Sequence, residues 1–116
     1  MRYRHFRGLW GGAATAAYDP NTMIGAVSVC AKADQFSRKE GRRIAEERID
    51  RILDGLTYRR RAGTAVSVVL VLPRLERGHH SGNQASDAWT WLQRIAMKEK
   101  LPTMVFFEGG GEGRAS

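Results

Sequence analysis

Short apolar runs alternate with polar breaks marked by glycine or proline, and the period of each run predicts its element. Residues 2–9 interleave Tyr3 and Phe6 with Arg2, Arg4 and Arg7, the pattern of an exposed or edge strand, and Gly11 and Gly12 end it. Residues 13–18 and 24–31 flank Asp19-Pro20-Asn21-Thr22. Proline presets φ in that cluster and the Asp and Asn side chains bond the local backbone, so the unit reads as a hairpin. The second arm, Ile24-Gly25-Ala26-Val27-Ser28-Val29-Cys30, is apolar at both parities, which predicts burial on both faces.

Ser37-Arg38-Lys39-Glu40 is a capping box opening a helix whose apolar stripe is Ala45, Ile49, Ile52, Leu53 and Leu56, with Gly55 as its stop. Residues 57–62 form a basic connector. The β-branched run 64–72 predicts a central strand ended by Pro73, and 74–84 reads as a polar loop. A second helix is expected over 86–100, capped by Ser86 or Asp87, with Ala85, Trp89, Leu92, Ile95 and Ala96 on its core stripe. Pro102 resets the chain before a last strand at 103–107.

The order β-β-β-α-β-α-β predicts one α+β domain over residues 1–108. Its expected architecture is a mixed, mainly antiparallel sheet of about five strands with two helices packed on it. Residues 109–116 are expected to be a flexible glycine-rich tail. The element order resembles the ribonuclease-H-like fold. That resemblance implies carboxylates on the first and fourth strands holding two metal ions, but residues 2–7 and 65–72 contain no acid. On that resemblance the metal site is missing.

The length, 116 residues, fits a single domain large enough for a core without disulfides. Cys30 is the only cysteine, which excludes an intrachain disulfide; it reads as a small buried hydrophobe and suits a reducing cytoplasm. The longest apolar run, 66–72, has strand length, far below the roughly 20 residues of a membrane helix, so no membrane partner is expected. The basic N-terminus followed by residues 8–17 is too poor in large apolar side chains for a signal peptide.

Charge changes the picture more. Lys and Arg number 19 against 12 Asp and Glu, a net +7. Residues 1–62 hold 13 of the basic and 7 of the acidic residues, so the excess is local. Arg38, Lys39, Arg42 and Arg43 crowd the first turns of the first helix while Glu46, Glu47, Asp50 and Asp54 follow. That order opposes the helix dipole by about 0.3–1 kcal/mol per charge. It points to an anion-binding surface, with phosphate the natural ligand. The competing reading pairs Arg43 with Glu47 and Glu47 with Arg51 on a solvated face. Arg2, Arg4 and Arg7 accompany Tyr3 and Phe6, and Arg59, Arg60 and Arg61 accompany Tyr58. Such clusters hold phosphates and stack bases, unless the rings complete the core or an acidic protein surface meets the arginines. Trp91 with Arg94 and Lys98 at i+3 and i+7 is a candidate partner-contact face, with packing under the preceding loop as the alternative.

Catalytic signals are weak. His79 and His80 with Glu76 form the one metal-like group, without zinc spacing, so neither metal nor cofactor is expected. A small His-dependent phosphodiesterase is the enzymatic alternative. The run 109–113 lacks the Lys-Ser/Thr of a phosphate loop, and no serine sits in a glycine-framed elbow. The balance favours a binder over an enzyme.

Gly12-Ala13-Ala14-Thr15-Ala16-Ala17-Tyr18, Val29-Cys30 and Asp34-Gln35-Phe36-Ser37-Arg38-Lys39-Glu40-Gly41-Arg42-Arg43-Ile44-Ala45 resemble small accessory proteins of tailed bacteriophages over the first 50 or so residues. The resemblance implies a cytoplasmic role in an infected bacterium: handling nucleic acid, or blocking a host defence such as a CRISPR–Cas complex. It carries no catalytic residue across. The expected partner is nucleic acid, a nucleoprotein complex, or, on the protein-only alternative, an acidic host protein.

Overall fold

The computed structural model describes residues 1–8, 12–29, 37–55, 65–75, 78–79 and 81–108. Strands β1 (Arg2–Arg7), β2 (Ala13–Asp19) and β3 (Ile24–Val29) lead into helix α1 (Arg38–Asp54). Strand β4 (Val68–Pro73), helix α2 (Gly82–Glu99) and strand β5 (Thr103–Glu108) complete the α+β fold. The sheet runs β1-β2-β3-β4-β5 in space. β1, β2 and β3 are mutually antiparallel, because tight connections reverse the chain. β4 lies parallel to β3 and β5 parallel to β4, because each helix carries the chain back to the same end of the sheet. The sheet is therefore mixed, as expected, with two antiparallel and two parallel pairings. The ribonuclease-H-like resemblance ends at element order: strands that jointly hold metal ions must be neighbours, and here β2 and β3 separate β1 from β4.

The β2–β3 turn forms as its residues predict. Asp19 Oδ1 accepts from the Asn21 N–H at 2.9 Å, Asp19 Oδ2 from the Thr22 hydroxyl at 3.0 Å, and the Asp19 carbonyl from the Met23 N–H at 2.7 Å. Strand alternation then splits the sheet into two faces. Ala17, Ile24, Ala26, Val69 and Val71 meet Ala45 and Ile49 of α1. Ala14, Ala16, Tyr18, Val27, Val68 and Leu70 meet Ala88, Leu92, Ile95 and Ala96 of α2. Gly25 lets α2 come close: a Cβ there would sit 2.9 Å from the Cδ2 atoms of both Leu70 and Leu92.

Two boundaries move. α2 begins at Gly82 with Ser81 at the cap position, not at Ser86 or Asp87. Ser81 is fully buried, and its Oγ accepts from the Ala13 N–H at 3.2 Å instead of capping its own helix. A tertiary bond from β2 thus sets the helix start. The stripe turns accordingly: Ala88 is buried, while Ala85 and Trp89 are half-buried. β4 begins at Val68, since Val66 is exposed and the chain bends through Val66 and Ser67. Cys30, Leu56 and the tail 109–116 lie outside the described residues. Among the described residues no helix is long and apolar enough to cross a membrane.

Candidate functional site

β1 is an edge strand, and its alternation sends the N-terminal cluster to two faces. Tyr3, pairing with Ala17, and His5, pairing with Thr15, face α1 together with Arg7. Arg2, Arg4 and Phe6 face α2. The basic residues of β1 therefore flank one sheet edge instead of forming a single patch.

On the α1 face the strand and helix build a polar layer. Ser37 caps α1, its Oγ accepting from the Glu40 N–H at 3.2 Å. Gly41 lets the helix settle onto Thr15; a Cβ there would lie 2.2 Å from Thr15 Oγ1. The Ser28 hydroxyl donates to the Gly41 carbonyl at 2.8 Å, and Arg48 donates to the Val27 carbonyl, fixing helix to sheet. His5 Nδ1 lies 2.8 Å from the buried Thr15 Oγ1. Burial first, then the charges of Arg38 and Arg42, holds the His5 imidazole below its usual pKa of 6.5. The Arg42 guanidinium stands 5.6 Å from the Tyr3 ring centroid, and Tyr3 Oη donates to Glu46 Oε2 at 2.7 Å. Desolvation and the Glu46 carboxylate push the Tyr3 phenol up to about 12.

The four cations of the first α1 turns are not equivalent. Arg43 is held by two carboxylates, its Nε 3.1 Å from Glu40 Oε1 and a terminal nitrogen 2.7 Å from Glu47 Oε2. The Glu40 hydrogen bond raises the Arg43 pKa, and the Arg43 hydrogen bond lowers that of Glu40. The expected Arg43–Glu47 pair is thus present and internally neutralises Arg43. Arg38, Lys39 and Arg42 make no ion pair among the described residues. Among the described residues they form a cationic strip without carboxylate ion pairs, beside the exposed Tyr3 side chain.

On the α2 face the Arg2 guanidinium lies 5.5 Å from the Trp91 ring centroid, and Arg4 lies 5.5 Å from that of Phe6. Trp91 is half-buried and packs against the core, so it is not the exposed anchor its spacing suggested. It leans toward β1, whereas Arg94 borders a groove against β5 and Lys98 is exposed. His79 Nδ1 accepts from the Ser81 N–H at 3.0 Å, a local bond at the α2 start. Glu76, His80, Tyr58 and Arg59, Arg60 and Arg61 lie outside the described residues. Among the described residues no three His, Cys, Asp or Glu side chains converge as metal ligands.

Proximity along the chain groups the basic residues without His5, which strand alternation draws into the strip. A period-two count along residues 2–7 carries that signal. Comparison with known proteins finds no matching family model, no matching curated protein and no matching solved structure.

Proposed function

We propose that this protein is a non-enzymatic binder whose β1–α1 surface engages the phosphate backbone of nucleic acid, free or within a host nucleoprotein complex. The observation that carries the reading is the strip of Arg38, Lys39 and Arg42, without carboxylate partners among the described residues, beside an accessible Tyr3 ring. Cations of this kind release counterions when they meet phosphates, and an adjoining ring offers a base a stacking surface. His5 sits under the same two arginines and would become easier to protonate once phosphates offset their charge. The likeness of residues 12–18, 29–30 and 34–45 to phage accessory proteins supports a setting in the cytoplasm of an infected bacterium. There, obstruction of a defence complex such as CRISPR–Cas would need no chemistry of its own.

The test is fluorescence anisotropy with a labelled single-stranded oligonucleotide across a salt series. Log affinity should fall against log salt by about 0.7 per phosphate neutralised. Replacing Arg38, Lys39 and Arg42 by Ala together should flatten that slope by about 2. Arg43→Ala should change it little, because Glu40 and Glu47 already neutralise Arg43. A salt-independent affinity, or a triple variant with the wild-type slope, refutes the reading.

A further inference from the structure

The sheet edge opposite the basic one has the contrary character. β5 carries Thr103-Met104-Val105-Phe106-Phe107 and pairs with β4 alone among the described strands. Met104 and Phe106 project on the α1 face, Val105 and Phe107 on the α2 face, by register with Val69, Val71, Leu70 and Leu72. All four are exposed, Phe107 by 55% and Met104 by 49%. The Val68 N–H donates to the Pro102 carbonyl at 2.8 Å. Continued along the parallel ladder, that alternation turns the backbone groups of Met104 and Phe106 toward β4 and those of Thr103, Val105 and Phe107 outward. Edge strands are usually blunted by charge, proline or a bulge; here Pro102 and Glu108 stand only at the two ends, and Thr103–Phe107 between them contains neither charge nor proline.

We infer that β5 is a self-association edge: two copies pair their β5 strands antiparallel across a two-fold axis at Val105, continuing one sheet through both. The occupant of this edge must be an extended strand that is apolar on both faces and has alternate backbone groups unpaired. β5 itself has that form. Centring on Val105 matches the outward groups, since Val105 faces Val105 and Thr103 faces the partner's Phe107, and each such pair exchanges two N–H···O bonds. The sizes also match. Phe107 of the second copy lies opposite Thr103, where an apolar groove of about 440 Å³ opens between α2 and β5. Met104 lies opposite the second copy's Phe106 at a non-hydrogen-bonded position, where side chains approach most closely and sulfur meets ring.

Arg94 borders the groove and Arg74 stands 5.4 Å from the Phe107 ring centroid, but the basic strip of β1 and α1 lies at the other edge. β1 and β5 are four strand spacings apart, about 19 Å, so the pairing keeps the two basic strips at the far ends of the joined sheet. At roughly 200 Å² per aromatic side chain, Phe106 and Phe107 together expose about 200 Å². With Met104, Val105 and Met97 the apolar area is roughly 400–500 Å² per copy, short of the about 800 Å² of a standard interface. The backbone bonds supplement that area, and a dimer of micromolar strength results.

Sedimentation of the nuclease-treated full chain from about 1 to 300 μM tests the inference, that range bracketing a micromolar constant. The mass should rise with concentration from 13.0 kDa to twice that value. Val105→Arg sets like charges against each other at the axis and should weaken association by about 100-fold or more. Val105→Pro removes the outward N–H while sparing the β4 ladder and should do likewise, with circular dichroism confirming that each variant is folded. Added salt screens the like net charges and should strengthen the dimer, whereas it weakens nucleic-acid binding, so the two proposals fail separately. A chain that stays monomeric throughout, or a dimer that both folded variants preserve, overturns the inference. A monomer that instead captures an apolar strand of another protein overturns it equally.

Discussion

Gly41→Ala sets two opposed effects against each other at the contact that seats α1. Alanine in place of glycine inside a helix normally stabilises by about 1 kcal/mol. Here the new Cβ would lie 2.2 Å from Thr15 Oγ1 and 3.0 Å from Thr15 Cβ. Two escapes exist. Rotating Thr15 breaks its 2.8 Å contact with His5 and strands a buried hydroxyl, at about 1–3 kcal/mol. Lifting α1 overpacks or opens the interface at a similar cost, about 1–3 kcal/mol, and strains the Ser28 bond to the Gly41 carbonyl. Against about 2 kcal/mol of clash, the propensity gain leaves a net loss of about 1 kcal/mol, or about 3–6 °C in Tm at this chain length. In a Thr15→Ala background the hydroxyl and methyl are gone and only the 3.0 Å Cβ contact remains, so Gly41→Ala should be close to neutral. Urea denaturation of the four proteins gives the coupling directly, expected at about 1–2 kcal/mol. A stabilised single variant, or zero coupling, refutes the close seating of α1 on Thr15.

Other outcomes follow from the same contacts. His5 titrates below 6.5 when folded, so the unfolded chain binds more protons in the window beneath that value; His5 therefore contributes stability that is present above pH 6.5 and is lost as pH falls through its folded pKa. Denaturation of wild type and His5→Gln across that range should show the wild type losing more, and an NMR titration should show the His5 pKa rising when an oligonucleotide is added. Leu92→Ala empties a fully buried position between α2 and the sheet and should cost about 2–5 kcal/mol, read as a lowered urea midpoint with unchanged slope. Ser37→Ala removes the N-cap acceptor and should cost about 1 kcal/mol in the same assay.

The elements and their order were legible because their signals are local. The Asp19 turn, the Ser37 cap and the apolar stripe at Ala45 and Ile49 depend on neighbours a few residues away, and all three form as their spacing indicates. The start of α2 was not legible, because Ser81 answers a backbone N–H of β2 that is 68 residues distant in sequence. The candidate site divides in the same way. Its residue types and excess charge are properties of composition, but the worth of each cation is decided by what the fold places beside it. Arg2 and Arg4 of β1 went to one face and Arg7 to the other, Arg43 was neutralised by Glu40 and Glu47, and Arg42 was set over a tyrosine from another element. β5 makes the point from the other side. Its apolar run reads simply as the last strand, since burial depends on which strands lie next to it, and only the spatial order of the sheet leaves it at an edge, with its apolar side chains exposed on both faces among the described residues.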